Sequence, residues 1–143
     1  MAAGSWTFYN DFKEHLAKAD VDMNGDTFKV LLTTSSYTPA ATHSTVSDIT
    51  NEVTDSDYSQ QTLANITVNE TGGTVTFDSD DISFGSAVSI TAKYAVIYDD
   101  THASDALMCY VDLDTSSGSA SVSSTNSTFQ ITINASGIWT LSG

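Results

Sequence analysis

Basic side chains are nearly absent from this chain of 143 residues, which has four lysines and no arginine against 18 acidic residues. The formal net charge is −14. Nucleic-acid binding needs basic groups that replace the counterions around phosphates, and an anionic membrane surface attracts the same groups. We therefore expect neither nucleic acid nor a membrane as a partner. Like charge also keeps copies of a chain apart until a specific interface overrides the repulsion.

Cysteine and long apolar runs are equally scarce. Cys109 stands alone, so an intramolecular disulfide is excluded. Because it lies within an apolar run, we predict a buried, inert thiol rather than a nucleophile. The N-terminus lacks a basic region followed by an apolar core, so no signal peptide is expected. No apolar run approaches the ~20 residues that span a bilayer.

Common catalytic motifs are also missing. The chain contains no G-x-S-x-G elbow, no glycine-rich phosphate loop and no H-E-x-x-H pattern. His102 lies near Asp99, Asp100 and Ser104, as in a catalytic triad. All four fall in one short connector that we predict to be exposed, where nothing would fix their geometry or exclude water.

Paired carboxylates at Asp99 and Asp100, or at Asp112 and Asp114, are the residue types that glycosidases use. Glycan clefts usually also need aromatic platforms, and the two tryptophans lie near opposite chain ends. Asp112 and Asp114 have the period-two spacing of a solvent-facing strand edge. We therefore expect no enzyme, no catalytic residue and no cofactor.

Residues 20–26 resemble the first half of an EF-hand loop. Oxygen ligands stand at alternate positions: Asp20, Asp22, Asn24 and Asp26. Glycine is sixth, but Leu31 is twelfth, where a bidentate glutamate is needed, and a strand rather than a helix is predicted to follow. A helix-to-strand turn uses the same residue types for backbone reasons. The four residues are a weak candidate calcium loop, and we expect a turn without a required metal.

Histidines do not suggest a metal site either. His15 lies on the predicted helix, His43 in a polar loop and His102 in the central connector. None has another histidine or a cysteine at ligand spacing. We predict that all three are solvated side chains.

Residues 90–113 are the centre of the predicted fold. Two apolar runs, residues 94–98 and 107–113, flank a polar connector at residues 99–105. Both runs are short, β-branched and aromatic, which favours strands over helices. Their nearly continuous apolar character is typical of strands covered on both faces. We predict a central antiparallel hairpin.

Residues 6–19 have the one helical pattern. Apolar residues recur along one stripe: Phe8, Tyr9, Phe12 and Leu16. Ser5 or Thr7 is a candidate cap, and lysines lie toward the end, where the helix dipole favours them. We expect this amphipathic helix to dock on a sheet.

Short strands make up the rest of the prediction. Strands are expected at residues 27–35, 62–77 (a hairpin with its turn at Gly72 and Gly73), 82–84, 129–133 and 137–141. Loops are expected at residues 36–57, with one helical turn near 46–49, and at residues 114–127. We predict a single domain, 1–143, that is mainly β: a helix at about 6–19 and a β-sandwich at about 27–141, compatible with a jelly-roll-like arrangement.

Four sequence blocks carry a resemblance. They are FYNDFKEHLAKADVDMNGDTFKVLLTTSSYTP, VTFDSDDISF, ITAKYAVIYDDT and FQITINASGIWTLS, and together they extend over nearly the whole chain. In this order they resemble small virion structural proteins of tailed bacteriophages and prophages. Those proteins share a Y-N-x-F-K-E helix, an Asp-rich turn and a D-T-F-K-V strand. One departure is that Ser59, Gln60 and Gln61 follow Tyr58, where a Gly-Gly pair is common.

The resemblance implies a structural protein of the virion rather than an enzyme. Within the family it favours a capsid decoration (cement) protein, made in the bacterial host cytoplasm and bound to the outer head surface. Its implied partners are the major capsid protein and further copies of itself, a trimer being one such oligomer. The blocks mark a scaffold, so no site residue is transferred. The alternative is a tail fibre or baseplate module that binds a host receptor or glycan through a pocket with exposed aromatics.

Overall fold

The computed structural model describes residues 1–2, 4–115 and 120–143, and it is mainly β-structure. One α-helix, α1, extends over Asn10–Lys18, and one 3-10 turn over Val46–Asp48. The strands of the described residues are β1 Thr7–Phe8, β2 Phe28–Thr33, β3 Gln61–Thr62, β4 Thr67–Thr71, β5 Thr74–Asp78, β6 Ile82–Val88, β7 Thr91–Ala92, β8 Tyr94–Asp99, β9 Ala106–Asp112, β10 Val122–Ser123, β11 Ser127–Ile131 and β12 Trp139–Ser142.

The largest sheet has five strands in the order β1-β9-β8-β2-β3, with every neighbour antiparallel. Its middle is the β8–β9 hairpin, which confirms the predicted central hairpin. Three smaller antiparallel sheets pair β12-β5-β4, β11-β6 and β10-β7. A mainly β fold with one helix among the described residues is therefore confirmed. No described helix is long and apolar enough to cross a membrane.

Side chains on opposite faces of the central strands enter two separate cores. The major core takes Phe28, Val30 and Leu32 from β2, as the alternation predicts. Leu31, between them, points to the other face and enters the minor core, which consists of Tyr9, Leu31, Tyr37, Val96, Tyr98 and Leu107. The same division separates Ile97 from Val96 on β8. Both faces are covered, which explains why these runs are apolar without interruption.

The predicted helix at residues 6–19 was wrong at its start, because Phe8 belongs to β1. Phe8 pairs with Cys109 of β9, and the Tyr9 N–H donates to the Met108 carbonyl at 3.1 Å. Tyr9 is the N-cap in an extended conformation, so neither Ser5 nor Thr7 caps the helix. Its ring turns into the minor core rather than joining the Phe12 stripe. Aromatic residues favour a strand when a partner edge is available, and β9 supplies that edge.

Other predicted elements need smaller changes. The hairpin turns at Gly72 and Gly73, which have positive φ values of 61° and 87°, although β4 begins only at Thr67. The helical turn predicted near residues 46–49 is confirmed as a 3-10 turn. The predicted loop at 114–127 was wrong in part, because β10 pairs there with β7. Residues 116–119 of that prediction lie outside the described residues.

Candidate interaction surface

An apolar groove lies between α1 and β12. It has a volume of about 490 Å³ and is lined by Phe8, Phe12, Lys13, Leu16, Ala17, Trp139 and Leu141. Residues two apart on a strand share a face, so β12 presents Trp139 and Leu141 together. Phe12 and Leu16, four apart on α1, form the opposite wall. The spacing of two on β12 and the spacing of four on α1 thus place apolar side chains on the two walls of the groove.

Leu141 is the most exposed large apolar residue of this groove. The residue is 54% exposed, and among the described residues only Met1 is also a large exposed apolar residue, at 40%. Trp139, two positions earlier on the same face, is 8% exposed. Most other large apolar residues of the described chain are buried in the two cores or packed against them. An exposed apolar groove on such a surface is a candidate binding site.

Lys13, at the rim of the groove, differs from the other lysines. The remaining three make ion pairs: Lys18 with Glu14, Lys29 with Asp100, and Lys93 with Asp112. Lys13 is exposed and makes no ion pair with a described residue. A protein of net charge −14 thus places beside its exposed apolar groove the one lysine that makes no ion pair within the described part of the chain.

A second cavity adjoins the first, and Phe8 and Trp139 line both. It has a volume of about 530 Å³ and brings Trp6 close to Trp139, although they lie near opposite chain ends. Its polar lining includes Ser5, Asn134, Ser136 and Thr140. A tight turn forms one wall: the Gly137 N–H donates to the Asn134 carbonyl at 2.8 Å. The distance between these tryptophans in the sequence therefore does not keep them apart in the fold.

The candidate calcium loop forms a turn. Asp22 Oδ1 accepts the N–H groups of Asn24 and Gly25, both at 3.0 Å, and Asp26 Oδ2 accepts the Asp22 N–H at 2.7 Å. A side chain on Gly25 would collide with the Asp22 carboxylate. Asp20 Oδ2 lies 3.3 Å from His15 Nδ1. Within residues 1–2, 4–115 and 120–143, no group of three or more His, Cys, Asp or Glu side chains is placed to hold a metal.

Asp99 contradicts the prediction of an exposed connector. It is the last residue of β8, paired with Phe28 and Ala106, and only 1% of it is exposed. Its Oδ1 accepts the N–H groups of Thr101 at 2.9 Å and His102 at 3.1 Å, while the buried Oδ2 has no N–H or O–H partner. Burial, followed by contact with the Asp26 carboxyl, raises the pKa of Asp99 to about 6. Protonation of Asp99 removes the repulsion between the two carboxylates.

The connector and the loop at 20–26 meet in what we call the polar corner: His15, Asp20, Asp26, Asp99 and His102. The rings of His15 and His102 lie 4.7 Å apart, although 87 positions separate them in the chain. His102 Nδ1 accepts the Ser104 N–H at 3.2 Å, so this ring nitrogen already has a partner within a local turn. Asp99, His102 and Ser104 therefore take part in backbone turns, Asp100 pairs with Lys29, and no nucleophile–base contact joins Ser104 to His102 among the described hydrogen bonds.

His43 was wrongly predicted to be a solvated loop side chain. Its Nδ1 lies 2.9 Å from the Tyr37 hydroxyl, which in turn lies 3.0 Å from the Tyr9 hydroxyl. The loop is drawn over the sheet because the Leu107 N–H donates to the Ser44 carbonyl at 2.9 Å. Burial and the Tyr37 hydrogen bond raise the pKa of Tyr9 far above its usual range. This chain of hydroxyl groups satisfies polar atoms at the edge of the minor core.

Asp112 and Asp114 are also not the plain strand edge that was predicted. The Lys93 side chain is 5% exposed, and its Nζ lies 2.9 Å from Asp112 Oδ1 and 3.9 Å from Asp114 Oδ2. The two carboxylates thus neutralise a buried lysine, a structural task that accounts for their spacing. Cys109 is buried as predicted, and burial raises the pKa of its thiol well above the ordinary value.

Comparison with known proteins identifies no relative: no protein family, no curated protein and no solved structure matches this chain. The surfaces described above therefore have to be interpreted from their own residues. Among them, the groove at α1 and β12 is the one that contains Leu141, an exposed large apolar residue.

Proposed function

We propose that this protein is a non-enzymatic structural protein of a phage virion, a capsid decoration (cement) protein that binds the outer surface of the head and stabilises it. The observation that carries the proposal is the ordered set of sequence blocks, which extends over nearly the whole chain. Its partners are the major capsid protein and further copies of itself.

The exposed groove supports this proposal. A decoration protein needs an apolar contact patch on a surface that otherwise stays soluble, because the core of a protein interface is depleted of charge. Leu141 and its neighbours offer such a patch, while the net charge of −14 keeps free copies apart. Modest contacts repeated at many sites on a head stabilise it through avidity.

The architecture proposed for this scaffold is a β-sandwich. The five-stranded sheet and the β12-β5-β4 sheet both send side chains into the major core. The rings of Phe28 on β2 and Phe77 on β5 lie 5.7 Å apart in an edge-to-face contact. Face-to-face packing of two antiparallel sheets buries one face of each, and a ring contact between the two sheets supports that arrangement.

Heads prepared without this protein provide the test. Purified protein should bind them saturably, in many copies per head, and raise the temperature at which they disrupt. Cryo-electron microscopy should place the density on the outer head surface, around a local symmetry axis if copies self-associate. Density confined to the tail, or only a few copies per particle, would overturn the proposal.

The cavity between Trp6 and Trp139 supports a second candidate, a tail fibre or baseplate module that binds a host receptor or glycan. Aromatic rings with nearby hydroxyl and amide groups are the chemistry that binds sugars. A Trp6→Ala variant should then lose binding on a glycan array, whereas Leu141→Ala should retain it. Wild-type protein that binds no glycan would remove this candidate.

A further inference from the structure

We propose that the groove between α1 and β12 takes an extended segment of the capsid subunit, which places a large apolar side chain against Leu141 and a carboxylate beside Lys13. This inference rests on the proposed function and names the contact surface and the chemistry of the partner. Two features of the groove point to this partner: its position beside an outer strand and its charge.

The position of β12 calls for an extended partner. In the β12-β5-β4 sheet β12 is the outer strand, and among the described residues no further strand pairs with its outer edge. An outer strand offers a row of backbone N–H and C=O groups that an added segment can pair with. Alternate side chains of that segment would then reach the groove beside Trp139 and Leu141.

The charge of Lys13 calls for a carboxylate. It is the one lysine without an ion pair among the described residues, and it lines the apolar groove. When an apolar side chain fills the groove, water leaves the surroundings of the ammonium group and its attraction to a carboxylate strengthens. We therefore expect the partner segment to contain an apolar residue with an acidic residue close to it.

A second copy of this chain fits the groove less well than a capsid segment does. A two-fold axis through β12 would bring a second β12, Trp139–Ser142, to the groove, and this strand has no acidic side chain for Lys13. Each copy also carries a net charge of −14, so like-charge repulsion opposes that pairing.

Leu141→Asp tests the apolar contact, with Ser142→Asp as its matched control. Both positions are exposed and the two variants have the same charge, but Ser142 lies on the other face of β12 and lines neither cavity. Leu141→Asp should weaken binding to purified heads about tenfold or more, as loss of a central apolar contact does. Ser142→Asp should bind nearly as wild type. Equal affinities for the two variants would overturn the inference.

Lys13→Glu tests the charge, with Lys18→Glu as its control on the same helix. Each variant changes the net charge equally, so a general repulsion from the head affects both. Lys13→Glu alone should bind about three- to tenfold more weakly, and the difference should shrink at high salt. Equal losses for both variants would show that only net charge matters and would overturn the Lys13 contact.

A photo-reactive residue identifies the occupant. Leu141→p-benzoylphenylalanine should cross-link to a capsid-subunit peptide that contains an acidic residue close to the linked apolar residue, whereas the same residue at Asn69 on β4 should not. Links to a second copy of this chain, or none despite binding to heads, would overturn the inference and leave the proposed function standing. Wild-type protein that does not bind heads would overturn both.

Discussion

The two ends of α1 pack against the rest of the molecule by different means. At its start, Phe8, Phe12 and Trp139 form an aromatic group with ring centroids 5.4–6.2 Å apart. At its end, His15 meets Asp20 and His102 in the polar corner. Apolar burial stabilises a fold at any pH, whereas titratable contacts contribute only while their charges suit one another. One short helix therefore joins a region that should be insensitive to pH with a region that should respond to it.

The largest change in the free energy of unfolding is expected at the aromatic start of α1. Phe12 is 1% exposed, so Phe12→Ala should lower the free energy of unfolding by about 3–5 kcal/mol, because it removes apolar contacts and leaves a cavity. Denaturant unfolding measures this change. Leu141→Ala is the matched control in the same groove and should cost less than about 0.5 kcal/mol, since the residue is 54% exposed. A melting temperature unchanged by Phe12→Ala would show that α1 is not docked.

The next largest change in stability is expected at Asp99, and its dependence on pH follows from the direction of the pKa shift. Its pKa is raised to about 6 from an ordinary value of 3.8, so the folded state binds the proton more tightly than the unfolded state. The stability from this group is fully present below pH 3.8 and is lost as pH rises through about 6. Asp99→Asn imitates the protonated acid, because its amide can donate to Asp26.

Asp99→Asn should therefore stabilise the protein above pH 6 and flatten the fall in stability between pH 4 and 6. Unfolding curves at several pH values measure both effects. Asp100→Asn is the control: it removes the same charge from the next residue, which pairs with Lys29 at 3.2 Å. If both variants changed the pH profile alike, the effect would be one of net charge and not of the buried pair.

Some elements of this fold can be predicted from the sequence, and others cannot. The β8–β9 hairpin and the turn at Gly72 and Gly73 could be predicted, because short, continuous apolar runs and turn chemistry are local signals. The start of α1 could not, since Phe8 fits the i, i+4 stripe of a helix and also pairs with β9. Which pattern forms depends on an edge about 100 positions away.

The sites were harder still, because each joins distant parts of the chain. Asp26 meets Asp99, and Trp6 meets Trp139, only after the strands between them have paired. A signal for the first did exist: Asp99 ends an apolar run, where a carboxylate is often drawn into the fold by backbone N–H groups. The exposed groove left no such signal, since Leu141 continues the alternation of β12 as any core residue would.

A smaller effect is expected from the histidine of the polar corner. His15→Ala removes two contacts, one with Asp20 and an edge-to-face ring contact with His102. The side chains of His15 and Asp20 are 26% and 46% exposed. Partly exposed pairs contribute little, so the loss should be below about 1 kcal/mol. Thermal melts in low and high salt separate the two contributions, because salt screens the contact with Asp20 and leaves the ring contact with His102 unchanged. A loss of the size expected for Phe12→Ala would contradict the distinction between the two ends.

The smallest effect, a shift near zero, is expected from calcium. The Asp22 and Asp26 oxygens already accept backbone N–H groups, and the loop has Leu31 where a closing glutamate would stand. Thermal melts with excess chelator and with excess calcium should therefore coincide. A ligand that binds only the folded state raises the melting temperature in proportion to the logarithm of its concentration, so even modest binding would be visible. A clear rise in calcium that Asp99→Asn abolished would mean that a cation, rather than a proton, joins Asp26 to Asp99, and the polar corner would then be a metal site.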